Sequence, residues 1–147
     1  MNLPDWIKDI APIVTAVGVC VGALQLWNTK RQATTAFEDA LAKEYREITG
    51  RLPTGALLGE TLTAESLQTH LPNFYRYFDL CNNQTFLRQI KRISTKTWGF
   101  WADGMRTNLA RPAFAESWEH IRQHAGSDFQ EMRRLIAEGF KIDPRKW

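Results

Sequence analysis

His120 and His124 stand four residues apart, the spacing at which two imidazoles on one helical turn can share a metal ion. A zincin motif also needs Glu directly after the first His, and Ile121 is there instead. Glu116 and Glu119 lie nearby, but carboxylates on an amphipathic helix normally face solvent. The chain has no Gly-rich phosphate loop and no Gly-x-Ser-x-Gly elbow. Cys20 and Cys81 offer neither a disulfide framework nor a zinc spacing, which suits a reducing compartment. No catalytic, cofactor-binding or metal-ligating set emerges, so the expectation is a protein that is not an enzyme and carries no cofactor.

Basic charge is the stronger chemical signal. Between Leu80 and Ala102 the only charges are Arg88, Lys91, Arg92 and Lys96, while the whole chain carries a formal net charge of only +3. Such a local patch suits anionic lipid headgroups, a nucleic-acid or nucleotide phosphate, or an acidic protein partner. Its plainer role is to complement a helix end with cations.

The element that must position this chemistry begins near the amino terminus. Between Ile10 and Thr29 the chain carries no charge, and Trp6 and Trp27 bracket most of that run. As a helix with a 1.5 Å rise per residue, it would hold the two indoles about 31 Å apart, close to the hydrocarbon thickness of a bilayer. Indoles favour headgroup depth, so Trp6 and Trp27, with Lys30 and Arg31 beyond, read as interface anchors of a single membrane-spanning helix. Lys30, Arg31, Lys43 and Arg46 follow the span, whereas only Lys8 and the amino terminus offset Asp5 and Asp9 before it. The positive-inside rule then places the N-terminus outside and everything after the span in the cytosol, a single pass through a bacterial inner membrane. A cleaved signal peptide fits poorly, because its charge should precede the apolar run and a small-residue cleavage site should follow.

Within the run, Ala11, Thr15, Gly18, Gly22, Gln25 and Thr29 recur at steps of four and three. At 100° per residue they share an arc of roughly 80°. Ile13, Val14, Val17, Val21, Leu24 and Trp27 take the other faces. Small residues let helix backbones approach closely in lipid, so the stripe reads as an oligomer seam or the lining of a pore. Insertion is modest, about −2 to −5 kcal/mol from the Ile, Val and Leu side chains, and a polar stripe is better tolerated against sister subunits than against lipid.

Helical pattern continues without Gly or Pro through residues 30–49, where Phe37, Leu41, Tyr45 and Ile48 form a new apolar stripe and Ala33, Ala36 and Ala40 extend the small one. One helix is therefore expected from near Asp5 to about Thr49. Gly50 to Gly59 reads as a loop, with Pro53, Gly55 and Gly59 as breakers. Helices follow at roughly Thr63 to His70, Pro72 to Arg92, Ser94 to Leu109, Pro112 to His124 and Ser127 to Glu138. Ser127 with Gln130 suggests a capping box, Pro112 a first helical position, and Gly126 and Gly139 helix ends. Trp98, Phe100, Trp101, Phe114 and Trp118 read mainly as core. Nothing alternates with period two, so the fold is expected to be all-α. Its parts would be residues 1–29, a short tail and the transmembrane helix, and residues 30–147, a cytosolic helical bundle.

This arrangement resembles a group of small bacterial single-pass membrane effectors linked to phage defence. The likeness is carried by the anchor ending Gln25-Leu26-Trp27 and by Glu44-Tyr45-Arg46. It extends to Thr97-Trp98-Gly99-Phe100-Trp101-Ala102-Asp103-Gly104 and Pro112-Ala113-Phe114-Ala115-Glu116-Ser117-Trp118. The group includes the pore-forming membrane accessory of type VI CRISPR systems, whose cytosolic part is a divergent HEPN-like bundle. The HEPN ribonuclease signature needs Arg followed by His after four to six intervening residues, and no Arg here satisfies it, so ribonuclease activity is not implied. What the resemblance implies is a homo-oligomer that forms or gates a membrane pore as an antiviral effector. The alternative is a membrane-tethered adaptor or sensor whose cytosolic domain binds a protein, nucleotide or RNA partner.

Overall fold

In the computed structural model, backbone is described from Asp5 and side chains from Gly18 through Trp147. The chain is 78% helical and has no strand among the described residues, so the all-α expectation holds. Among the described residues no helix is long and apolar enough to cross a membrane. The predicted span thus has no counterpart there; it begins at Ile10, and the side chains of residues 10–17 lie outside the described set.

The first helix, α1, covers Asp5–Thr49 as the sequence predicts. Contacts divide the chain into Met1–Phe37 and Glu38–Trp147. In the second unit Leu41 is buried and Tyr45 and Ile48 are half-buried, so the later apolar stripe of α1 turns inward. The segment predicted as a loop contains a short helix, α2 (Thr54–Leu58). It ends at Gly59 with φ +88°, a left-handed position that glycine takes without strain and that lets the Glu60 N–H reach the Gly55 carbonyl.

The two helices expected on either side of Leu71 are one, α3 (Ala64–Gln89), with Pro72 inside it. Pro72 removes the donor that the Gln68 carbonyl would take, but both residues lie on the exposed face, where water can replace it. The opposite face buries Phe74, Tyr77 and Phe78 completely. At about 1.5–3 kcal/mol for each large side chain, that burial outweighs the roughly 3 kcal/mol cost of an internal proline.

The helix α4 (Thr95–Leu109) starts at Ser94, whose hydroxyl accepts from the Thr97 N–H; α5 (Pro112–His124) starts on Pro112 as predicted. The capping box at Ser127 does not form, because α6 (Gln130–Ala137) begins three residues later. Phe129 precedes it at φ +61° and is buried, its ring edge-on to Tyr75 at 5.1 Å and to Trp118 at 5.8 Å. The Met132 N–H in the first turn is taken by the Asn82 side chain at 3.0 Å, so α3 caps α6 from a distance. A 3₁₀ turn, Pro144–Lys146, closes the chain.

The central element is α3, which packs on α5, α6 and the 3₁₀ turn, while α4 and α2 lean on α5. Phe74, Tyr77, Phe78, Phe114 and Trp118 interlock there, with ring centroids 5.0–5.1 Å apart along successive pairs and mostly edge-to-face.

Candidate functional site

From Val19 to Arg31 nearly every residue of α1 is exposed. Val19, Leu24, Leu26 and Trp27 are each more than half exposed, and Leu26 reaches 75%. A side chain added at Gly18 or Gly22 would meet nothing within 4 Å, so the small stripe is open in the single chain. Gln25 and Thr29 are exposed on it, and the Thr29 hydroxyl donates to the Gln25 carbonyl at 2.9 Å. Ala33, Ala36 and Ala40 extend the stripe, all exposed. Ala11, Thr15 and Trp6 belong to the same expectations and lie outside the described side chains. Trp27 and Arg31 come together, the guanidinium 4.9 Å from the ring centroid, while Lys30 is exposed.

The four cations of the basic patch do not form one surface. Lys91, Arg92 and Lys96 are exposed, but Arg88 is 1% exposed and faces the interior. Its Nε donates to Asp143 Oδ1 at 2.9 Å and its Nη2 to Asp143 Oδ2 at 2.5 Å. Its Nη1 donates to the Ile93 carbonyl at 2.7 Å and its Nη2 to Thr95 Oγ1 at 3.2 Å. Arg88 therefore ties α3 to the start of α4 and to the C-terminal turn. Partial burial pushes Asp143 upward, yet the Arg88 fork and the Arg145 N–H and side chain outweigh it and hold the carboxyl at about 2.

A second polar knot joins α1, α3 and α4. Asn108 is buried; its Nδ2 donates to the Tyr77 hydroxyl at 2.9 Å and to the Tyr45 hydroxyl at 3.5 Å, and its Oδ1 accepts from Arg111 at 2.5 Å. Burial drives the Tyr77 phenol well above its usual value and the neighbouring Cys81 thiol up to about 12. Neither is a nucleophile at neutral pH. Farther out on α1, the Glu38 carboxylate accepts from the Ser94 N–H and from the Thr97 hydroxyl, both at 2.6 Å, at the N-terminus of α4 where negative charge is favoured.

His120 and His124 are exposed and stacked, with ring centroids 4.5 Å apart. His124 Nδ1 donates to the His120 carbonyl at 2.8 Å, which leaves its Nε2 free. Among the described residues no three His, Cys, Asp or Glu side chains converge as a metal site would need. Of the aromatic cluster, Trp98, Phe114 and Trp118 are core, Trp101 is half-buried and Phe100 is 70% exposed.

Sequence reasoning missed Asn108, Gln84 and the inward role of Arg88. A signal was present in register: Tyr77, Cys81, Gln84 and Arg88 recur at steps of four, three and four on the core face of α3. Polar residues at such positions mostly find a partner inside, as Tyr77 and Arg88 do.

The chain matches no protein family, no curated protein and no solved structure.

Proposed function

We propose that this chain is a single-pass inner-membrane protein that self-associates through its small-residue stripe and forms or gates a membrane pore. The N-terminus would lie outside, the helical domain in the cytosol, and the setting would be the phage defence that the resemblance implies. The observation that supports this reading is the uncovered apolar surface of α1. Val19, Leu24, Leu26 and Trp27 stand exposed on a helix whose run from Ile10 to Thr29 is uncharged. Such a surface asks for lipid or for copies of itself, and open Gly18 and Gly22 allow close backbone approach.

Light scattering on the full-length protein in mild detergent tests the assembly. Five or more subunits are expected, with Gly22→Leu lowering the mass. Unchanged mass in the variant would remove the seam. Dye or ion flux through liposomes carrying the protein then tests conduction.

A membrane-tethered adaptor is the second reading, favoured by one further feature. A groove of about 510 Å³ runs between α3 and α5, lined by Leu71, Pro72, Tyr75 and Ile121 with Arg76 and His120 at its edge. Stable dimers without flux would select this reading.

A further inference from the structure

Four residues of α3, Tyr77, Cys81, Gln84 and Arg88, point into the domain at successive turns. Two have hydrogen-bond partners: Tyr77 has Asn108, and Arg88 has Asp143; Cys81 carries a thiol that burial suits. Gln84 is only 2% exposed, and its amide makes no hydrogen bond with any described residue. Among the described residues Ser117 Oγ is the one sealed polar side-chain atom without a partner, so the Gln84 amide keeps an opening. That opening is a cavity of about 290 Å³, which Gln84 lines together with Tyr45, Arg46, Phe100, Trp101 and Gly104.

Each part of this lining has a surplus. A primary amide offers an acceptor and a donor side by side, and the edge of a nucleobase presents the complementary pair. Phe100 leaves 70% of its surface uncovered at the rim, a face on which a planar ring can stack. Arg46 is exposed, and it makes no ion pair with a described residue, since Glu47 pairs with Lys43. A guanidinium in that position suits a phosphate. A side chain at Gly104 would meet nothing within 4 Å, so the wall is open where a ring would enter. The volume lies at the low end for ligand pockets, enough for one base with its sugar but not for a dinucleotide.

We propose that this cavity binds a mononucleotide, with the base on the Gln84 amide against Phe100 and Trp101 and the phosphate on Arg46. The assignment rests on residues 45–104 alone and is independent of pore formation.

Isothermal titration of the full-length protein in mild detergent with AMP, GMP, CMP and UMP, each to about 1 mM, tests it. One of the four is expected to saturate. Gln84→Met should weaken that nucleotide at least tenfold, Arg46→Ala should weaken it by a similar factor, and Gly104→Leu should abolish binding. The matching nucleoside should retain the Gln84 dependence and lose the Arg46 dependence, while inorganic phosphate should show the reverse. Gln84→Met removes an unpaired buried amide, so its thermal midpoint without ligand should rise, which separates lost binding from lost folding. Absence of saturation by all four nucleotides would overturn the proposal. So would a saturating nucleotide whose affinity is the same in Gln84→Met.

Discussion

Replacing Asp143 with Ala removes both carboxylate oxygens from a guanidinium that is 1% exposed. Stranding one partner of a buried ion pair costs about 3–5 kcal/mol. Here Arg88 keeps its bonds to the Ile93 carbonyl and Thr95 hydroxyl, so the lower end, about 3 kcal/mol, is expected. That is a roughly hundredfold rise in the unfolded fraction, large against a typical total of about 5–15 kcal/mol. Arg88→Met should cost less, about 1 kcal/mol, because the desolvated charge goes with its bonds. Asp143, 22% exposed, then still has Arg145 and water. Urea denaturation in mild detergent, followed by far-ultraviolet circular dichroism, reads both variants. Equal losses for the two, or a loss below about 1 kcal/mol for Asp143→Ala, would refute the buried-pair reasoning. The pH dependence supplies a second reading. Asp143 is held at about 2 against an ordinary value of 3.8, so the unfolded chain binds the proton first as pH falls. The pair's contribution is whole above pH 4 and fades between about 4 and 2. Screening of the partly exposed carboxylate trims it to about 1–2 kcal/mol. Asp143→Ala should lack that acid slope.

Glu38→Ala should lower stability by about 1–2 kcal/mol in the same assay, since it removes a charged acceptor from the α4 N-terminus; Glu38→Gln should recover part of it. Ser117→Ala should raise stability by about 1 kcal/mol, because the Ser117 hydroxyl is sealed without a partner; a loss would mean that it is bonded after all. In a Cys20→Ser background, Cys81 should resist a thiol reagent at pH 8 and react only as urea unfolds the domain, because the thiol is buried and held at about 12. Labelling at the rate of a free thiol under native conditions would place Cys81 at the surface.

Local chemistry made much of the fold legible. The span of α1 and the start of α5 follow from the absence of breakers and from Pro112 at a first helical position. Errors arose where a distant residue overrode a local signal. Pro72 looks like a boundary, yet the rings of Phe74, Tyr77 and Phe78 hold the helix through it. Ser127 looks like a cap, yet Phe129 is drawn between Tyr75 and Trp118, and Asn82 supplies the capping bond instead. The basic patch is contiguous only along the chain, whereas helical register turns Arg88 inward and leaves Lys91, Arg92 and Lys96 outside. Nothing in local sequence pairs Arg88 with Asp143, fifty-five positions away.

These distant bonds also bear on how the domain could respond to a ligand. The cavity is bounded by Tyr45 and Arg46 of α1, Gln84 of α3 and Phe100 and Trp101 of α4. Asn108 bridges the Tyr45 and Tyr77 hydroxyls, and Glu38 fastens α1 to the start of α4. A ligand that engaged Gln84 and Arg46 together would therefore load α1 and α3 at once. The same α1 carries Gly18, Gly22 and the uncovered Leu24 and Leu26 toward its other end. If the chain self-associates as proposed, ligand occupancy can change that assembly only where the ligand binds the assembled and unassembled forms with different affinity. Ala42, Tyr45 and Arg46 are where that difference would have to arise, because they are the cavity residues that belong to the helix bearing the apolar surface.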